Sequence, residues 1–113
     1  MLAIAGAELV GFAQLRSVRP PPCLDPVQAI ELWRFYVARA WHGRGVAQEL
    51  MAAVVQEARD AGSETLWLGV WERNPRAQSF YKKSGFLDVG TQTFLVGTDE
   101  QHDRVLAMSL RPA

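Results

Sequence analysis

The stretch YVARAWHGRGVAQELMAAV, residues 36–54, decides how this chain folds. It begins with residues typical of a strand, passes Gly43 and Gly45 with Arg44 between them, and continues directly into a helical pattern. The first turn of a helix carries unpaired backbone N–H groups and a partial positive charge, so an anion placed there meets several donors at once. Glycine allows the backbone to approach such an anion closely. The spacing indicates either an anion site or a tight strand-to-helix turn that merely needs two glycines.

The helix that follows the two glycines is predicted over residues 46–61. Apolar side chains form one stripe along it, and polar side chains occupy the opposite face. The stripe consists of Val46, Ala47, Leu50, Met51, Val54, Val55 and Ala58. Gly62 stands where a glycine commonly ends a helix. Asn74 and Pro75 predict the N-cap and first residue of a second helix, which runs to about Ser84.

Strand patterns surround these helices. LAIA and ELVGFAQLR join around Gly6 and Ala7 as a hairpin, and AIELWRFYVA is a strand before the first helix. RPPPCLDP, which ends at Pro26, is a loop because prolines exclude a helix or a central strand. TLWLGVW is predicted to be a strand buried on both faces. Two final strands are expected near FLDVGTQTFLV and RVLAMSL, with the polar GTDEQHD separating them.

The order strand, glycine turn, helix, strand describes a right-handed crossover between parallel strands. The flanking hairpins add antiparallel strands to the same sheet. The expected class is therefore α+β, or mixed α/β, with a mixed and mostly antiparallel sheet around one central crossover.

Composition narrows the classes of function. The 113 residues are expected to form one domain, residues 1–113, and 49% of them are apolar. Twelve acidic and twelve basic residues balance, which argues against nucleic acid or a membrane as the main partner. The apolar runs are too short to cross a membrane and the N-terminus lacks a basic leader, so a cytoplasmic location is expected. Cys23 is the single cysteine, which excludes an internal disulfide and a cysteine metal cluster, and no metal is expected.

The glycine turn can be compared with three known phosphate-binding motifs. A P-loop needs Gly-Lys-Ser/Thr after four spacer residues, which this chain lacks, and a dinucleotide fingerprint needs glycine or alanine where Gln48 stands. The third motif is the pyrophosphate loop of the GNAT superfamily of N-acetyltransferases, Gln/Arg-x-x-Gly-x-Gly/Ala. HGRGVA, residues 42–47, resembles it at Gly45 and Ala47 and departs from it at His42.

The rest of the chain extends this resemblance. In that superfamily a strand precedes the loop, a long helix and a strand follow, and an asparagine then opens a short helix that ends in tyrosine before a Gly-Phe pair. LWLGVWERNPRAQSFYKKSGF has these parts in order, and the resemblance covers essentially the whole chain from the first hairpin to the last strand. Within the superfamily, LWLGVWERN, FYKKSGF and GTQTFLVGTDEQHD look like the bacterial branch that includes spermidine/spermine N-acetyltransferases.

The resemblance implies that an amine attacks the thioester of acetyl-CoA directly. Tyr81 matches the tyrosine that family members place near the sulfur, where a phenol with a pKa of about 10 can protonate the leaving thiolate. A packed core aromatic is the alternative reading of Tyr81. Asn74 is explained as an N-cap and also matches the residue that hydrogen-bonds the pantetheine arm.

Pantetheine is peptide-like, so it is expected to pair with the strand RFYV where that strand splays from LWLGV, with the N–H of Val37 as oxyanion donor. Arg44 and Lys83 are expected to serve phosphate oxygens, with solvated surface charge as the alternative, and Arg76 and Lys82 are weaker candidates. The residues expected to contact CoA are Tyr36, Val37, His42, Gly43, Arg44, Gly45, Val46, Ala47, Asn74, Ala77, Tyr81 and Lys83.

The general base is the open part of this interpretation. Many members of the superfamily carry a glutamate in the strand before the asparagine, at the place that Gly69 holds here. Glu31 and Glu72 are the remaining nearby carboxylates, each either acting through water or standing as a rim charge. Glu31 is the one assigned a catalytic role, and Glu72 is interpreted as a rim charge. His102 is expected in the polar loop as a surface residue.

The superfamily normally begins with one strand and two helices before the hairpin at which this chain starts, and those helices usually wall the acceptor groove. Three explanations of this start stay open. The chain is a fragment of a longer protein, its start is misjudged, or it forms a homodimer in which the partner covers the exposed edge. Two classes of function also stay open. One is an active N-acetyltransferase for a small amine, polyamines first, with Asp99, Glu100 and Asp103 attracting the cation. The other is a catalytically weak module that binds CoA or senses an amine.

Overall fold

Six strands and two helices make up the fold of the computed structural model, which describes residues 1–25 and 28–111. Along the chain they are β1 (Leu2–Ala5), β2 (Glu8–Arg16), β3 (Ala29–Val37), α1 (Val46–Asp60), β4 (Thr65–Trp71), α2 (Pro75–Lys83), β5 (Leu87–Val96) and β6 (Asp99–Ser109). A single 3₁₀ turn, Arg39–Trp41, lies between β3 and the glycine turn. Pro26, the end of the predicted proline loop, lies outside the described residues.

All six strands belong to one sheet in the order β1-β2-β3-β4-β6-β5. Strands β3 and β4 are parallel and α1 connects them, whereas the other four ladders among the described residues are antiparallel. The predicted class, a mixed and mostly antiparallel sheet with one central crossover, is confirmed.

The core lies between the sheet and the two helices. The predicted stripe of α1 buries Leu50, Met51, Val54 and Ala58 against the sheet. Leu66, Leu68 and Val70 of β4 enter the same cluster. Because side chains alternate along a strand, the residues between them point to the opposite face of the sheet. We call this the outer face, and a smaller cluster of Trp67, Val105 and Ala107 packs there.

Two expectations about the strands were wrong. The polar segment expected to separate the last two strands is mostly strand, because β6 begins at Asp99 and the turn is confined to Gly97 and Thr98. Its first residues pair only with β5, beyond the end of β4, so both faces of this extension tolerate polar side chains. Strand β4 is also not buried on both faces along its length, since Trp71 is 47% exposed.

Neither of the two described helices is long and apolar enough to cross a membrane.

Candidate active site

A wedge-shaped gap opens between the two parallel strands. Strands β3 and β4 pair at Ala29–Glu31 with Thr65–Trp67, and the described residues show no further pairing between them. The N–H of Ala38 donates to Val10 O on the β2 side at 2.7 Å. Because successive peptide groups of a strand point to opposite sides, the N–H and C=O of Val37 point into the gap. The predicted splaying of these strands is present, and Val37 stands at its open end.

The glycine turn brings the N-terminus of α1 to this gap. Gly43 and Gly45 adopt left-handed backbone angles, with φ of 76° and 82°, which residues with a side chain rarely adopt. Gly45 is the N-cap of α1, and it supplies no side chain to the first N–H groups of the helix. A cleft of about 400 Å³ opens there, and Gly43, Gly45, Ala47 and Gln48 line it. The turn therefore presents helix donors to a space large enough for part of a ligand.

His42 fastens the glycine turn to the end of β3. Its Nε2 lies 2.9 Å from the carbonyl oxygen of Val37. A carbonyl oxygen only accepts hydrogen bonds, so Nε2 carries the proton. This contact occupies the carbonyl of Val37 and leaves its N–H as the group that faces the gap. His42 occupies the position at which the family motif has glutamine or arginine. There it donates the hydrogen bond to Val37 that holds the loop in place.

Tyr81 lies in the same cleft, held by aromatic rings. Its ring centroid is 6.2 Å from Phe35, 5.4 Å from Phe80 and 5.8 Å from Phe86, all with edge-on geometry. Such pairs fix the ring more firmly than burial alone does. Burial also raises the pKa of the Tyr81 phenol. The hydroxyl therefore keeps its proton at neutral pH and is available as a donor.

Helix α2 supplies the second wall of the cleft. Its N-cap is Asn74, whose Oδ1 accepts a hydrogen bond from the N–H of Ala77 at 3.2 Å, and Pro75 is the first helical residue. Both Asn74 and Ala77 line the cleft. The cap leaves the amide nitrogen of the Asn74 side chain as a further donor on this wall.

The structure brings eight of the twelve predicted CoA-contacting residues into the lining of one cleft. They are Val37, His42, Gly43, Gly45, Ala47, Asn74, Ala77 and Tyr81.

Four of the predicted CoA-contacting residues lie elsewhere. Tyr36 is on the outer face, where its ring packs 5.6 Å from that of Phe12. Arg44 stacks its guanidinium 4.8 Å from the centre of the Trp41 ring. Val46 and Lys83 line neighbouring grooves, although the N–H of Val46 still belongs to the first turn of α1.

Glu31, the predicted base, is also outside the cleft. It lies on β3 beside Trp67, is buried, and accepts a hydrogen bond from the guanidinium of Arg16. The pairing with Arg16 explains how a carboxylate is tolerated at a site that is 7% exposed. The structure thus separates Glu31 from Tyr81 by placing them on different sides of the sheet.

Sequence reasoning missed several lining residues. Arg76 brings a positive charge to the cleft, although it was ranked below Lys83 as a phosphate ligand. Its position one residue before Ala77, on the first turn of α2, is the signal that favours it. Phe35, Trp41, Gln48 and Phe80 complete the lining.

The described residues contain no group of three or more His, Cys, Asp or Glu side chains arranged to hold a metal ion.

The chain matches a known protein family. A family model described as the acetyltransferase (GNAT) family matches residues 1–86. An uncharacterized N-acetyltransferase of Mycobacterium tuberculosis is 42% identical over 81 residues, which are 72% of this chain and 52% of that protein. The chain spans about half the length of this relative and of a similar curated N-acetyltransferase from Lactobacillus delbrueckii.

Solved structures share the fold. An N-acetyltransferase from Staphylococcus aureus Mu50 superposes with a TM-score of 0.79 at 25% identity, covering 97% of this chain and 66% of that one. A GNAT family acetyltransferase from Elizabethkingia anophelis, solved with acetyl-CoA bound, superposes with a TM-score of 0.76 at 18% identity, covering 96% and 73%. At 18% identity, the similarity to the Elizabethkingia anophelis structure shows a shared fold only.

Proposed function

The chain belongs to the GNAT family of acetyltransferases, and on that premise we propose that it transfers an acetyl group from acetyl-CoA to a primary amine. One observation carries the proposal. The glycine turn at the N-terminus of α1, the N–H of Val37 and the phenol of Tyr81 all face one cleft. These are an anion site, an oxyanion donor and a proton donor in one place, which is what acyl transfer from a thioester requires.

The cleft is suited to CoA along its length. At one end the first N–H groups of α1 meet the diphosphate, and Arg76 adds a positive charge. From there the gap beside β3 accepts the peptide-like pantetheine arm, with the amide of Asn74 on the opposite wall. The structure from Elizabethkingia anophelis with acetyl-CoA bound supports this choice of substrate for the fold.

The reaction assigns a role to each group. The amine nitrogen attacks the acetyl carbon, and a C–N bond forms while the carbonyl oxygen gains charge that the N–H of Val37 stabilises. The C–S bond then breaks, and the sulfur takes a proton from Tyr81. Tyr81 regains its proton from the nitrogen, so the phenol acts as a relay.

The acceptor is proposed to be a small amine, with polyamines first. Support comes from a depression beyond β4 that is lined by three carboxylates, Glu72, Asp99 and Glu100, and by one guanidinium, Arg73, which leaves an excess of negative charge. A polyamine carries several positive charges, which such a rim attracts. A solvated hairpin end is the competing explanation of these charges.

A second function is favoured by one specific observation. Gly69 offers no side chain at the gap, Glu31 is engaged by Arg16, and no Asp or Glu is among the described residues that line the cleft of Tyr81. A module that binds CoA but turns over slowly would have this arrangement. Turnover with an amine separates it from an enzyme.

We expect acetyl-CoA and CoA to raise the melting temperature and NAD to leave it unchanged. A ligand at about 100 times its dissociation constant adds roughly 2.7 kcal/mol to the free energy of unfolding. The reason is that the turn fits the acetyltransferase loop, whereas Gln48 stands where the dinucleotide fingerprint needs glycine or alanine. Thermal-shift titrations measure the effect. No shift with saturating CoA would refute the proposed function.

Spermidine is expected to be acetylated faster, in kcat/KM, than neutral amino acids, whose net charge is near zero. The cause is the excess of negative charge that Glu72, Asp99 and Glu100 keep over Arg73 at this rim, whose attraction falls as salt screens it. Assays of thiol release with an amine panel at low and high ionic strength measure both effects. Preference for an uncharged or singly charged amine, without salt dependence, would remove polyamines as the acceptor.

A further inference from the structure

The gap between β3 and β4 separates two strands of one sheet, so it borders both faces of that sheet. On the helix side lie the glycine turn and Tyr81. On β4, Leu66, Leu68 and Val70 point to that side, so the alternate residue Gly69 belongs to the outer face. A reactant that enters from the outer face therefore passes Gly69 on its way to the thioester.

A carboxylate from the neighbouring strand lies over Gly69. A Cβ built on Gly69 would stand 3.0 Å from Oδ2 of Asp103 and 2.5 Å from Nε2 of Gln92. Asp103 belongs to β6, where it pairs with Trp71 on one side and with Gln92 on the other. Neighbouring strands are about 4.8 Å apart, so the side chain of Asp103 reaches from β6 to a position over Gly69 on β4, the strand that borders the gap. The missing side chain of Gly69 is what gives it the space.

The surroundings of Asp103 favour the uptake of a proton. Burial raises the pKa of its carboxyl, and the hydrogen bond from Gln92 opposes this in part. The residues that face it from β4 and β5, which are Gly69, Trp71 and Gln92, carry no charge. The titratable or charged groups on the elements around it are Glu31 with Arg16, Glu72 after β4, Asp88 on β5, the thiol of Cys23 beside Gly90, and, on its own strand, Asp99, Glu100, His102 and Arg104.

We infer that Asp103 is the general base that deprotonates the acceptor amine as it enters the gap from the outer face. The inference rests on the proposed acetyl transfer. An alkylammonium ion loses one proton to Oδ2 of Asp103, and the amine nitrogen attacks the acetyl carbon. When the C–S bond breaks, the nitrogen loses a second proton, which replaces the one that Tyr81 gives to the sulfur. Asp103 afterwards releases its proton to water.

Asp103→Asn tests the inference, because the amide keeps the shape of the side chain and cannot take the proton. We expect kcat/KM for the amine to fall about tenfold or more at pH 7. The deficit should shrink as the pH rises toward the pKa of the amine itself, where free amine is abundant. Asp60→Asn, an exposed carboxylate at the end of α1, is the matched control and should keep the wild-type profile.

A second readout separates a lost base from a damaged fold. A carboxyl whose pKa is raised in the folded state lowers stability above that pKa. Asp103→Asn should therefore melt at the same temperature as the wild type or higher at pH 7, and this gain should vanish near pH 3, where both side chains are neutral. The CoA-induced thermal shift should be unchanged.

Two results distinguish failure of the role of Asp103 from failure of the proposed acetyl transfer. Suppose that Asp103→Asn folds, keeps the wild-type kcat/KM, and loses rate at low pH as the wild type does. That result would overturn the role of Asp103 and leave the proposed acetyl transfer standing. A wild-type protein that acetylates no amine would overturn both.

Discussion

Tyr81→Phe is expected to lower kcat by about 10²–10⁴-fold while CoA affinity stays close to that of the wild type. The substitution removes one oxygen atom and keeps the ring. The contacts with Phe35, Phe80 and Phe86, which hold the ring by its edges, are therefore retained. Only the proton for the leaving sulfur is lost. A fall in kcat without a change in CoA binding would place the hydroxyl in the transition state.

The pKa of Tyr81 also determines how the loss of rate in Tyr81→Phe depends on pH. Because burial raises the pKa of Tyr81, the phenol stays protonated throughout the neutral range. The loss in rate should therefore be the same from about pH 6 to pH 9, unlike the loss for Asp103→Asn, which should diminish with rising pH. Single-turnover rates with saturating amine make the measurement, since they exclude product release. Wild-type rates in the chemical step would show that Tyr81 is a packing residue.

Local signals explain why most of the fold was predictable. The bounds of α1 follow from its apolar stripe and Gly62, whose φ of 81° needs glycine. The start of α2 follows from Asn74 and Pro75, which act as cap and first residue as expected. Each of these signals depends on residues that are close in sequence, so a short stretch of sequence is enough to predict where the helix begins or ends.

The remaining features depend on contacts between distant residues. Glu31 looked like a free base, but β2 brings Arg16 to it. Asp103 was expected in a polar loop, but the pairing of β6 with β4 places it over Gly69. In each case strand register, which no short pattern specifies, decides what a charged side chain meets.

Gly45→Val is expected to weaken CoA binding about 100-fold or more. Gly45 lines the cleft, and a Cβ built on it meets no atom within 4 Å apart from its chain neighbours, so the new side chain would stand in open space at the N-terminus of α1, where the diphosphate is expected. Losing two charge-assisted hydrogen bonds at roughly 1.5 kcal/mol each gives about 3 kcal/mol, or a factor of about 100 in the dissociation constant. Calorimetric titration with CoA measures it directly.

The backbone strain of this substitution needs a control of its own. Valine at φ of 82° costs about 1–3 kcal/mol of stability wherever it is placed. Gly62→Val provides the match, since Gly62 has φ of 81°, also has no atom within 4 Å of its Cβ, and lies at the far end of α1. Both variants should melt at similarly reduced temperatures, but only Gly45→Val should lose CoA. If the two lose CoA affinity equally, the effect comes from strain in α1, and Gly45 is a turn residue that happens to stand at the cleft.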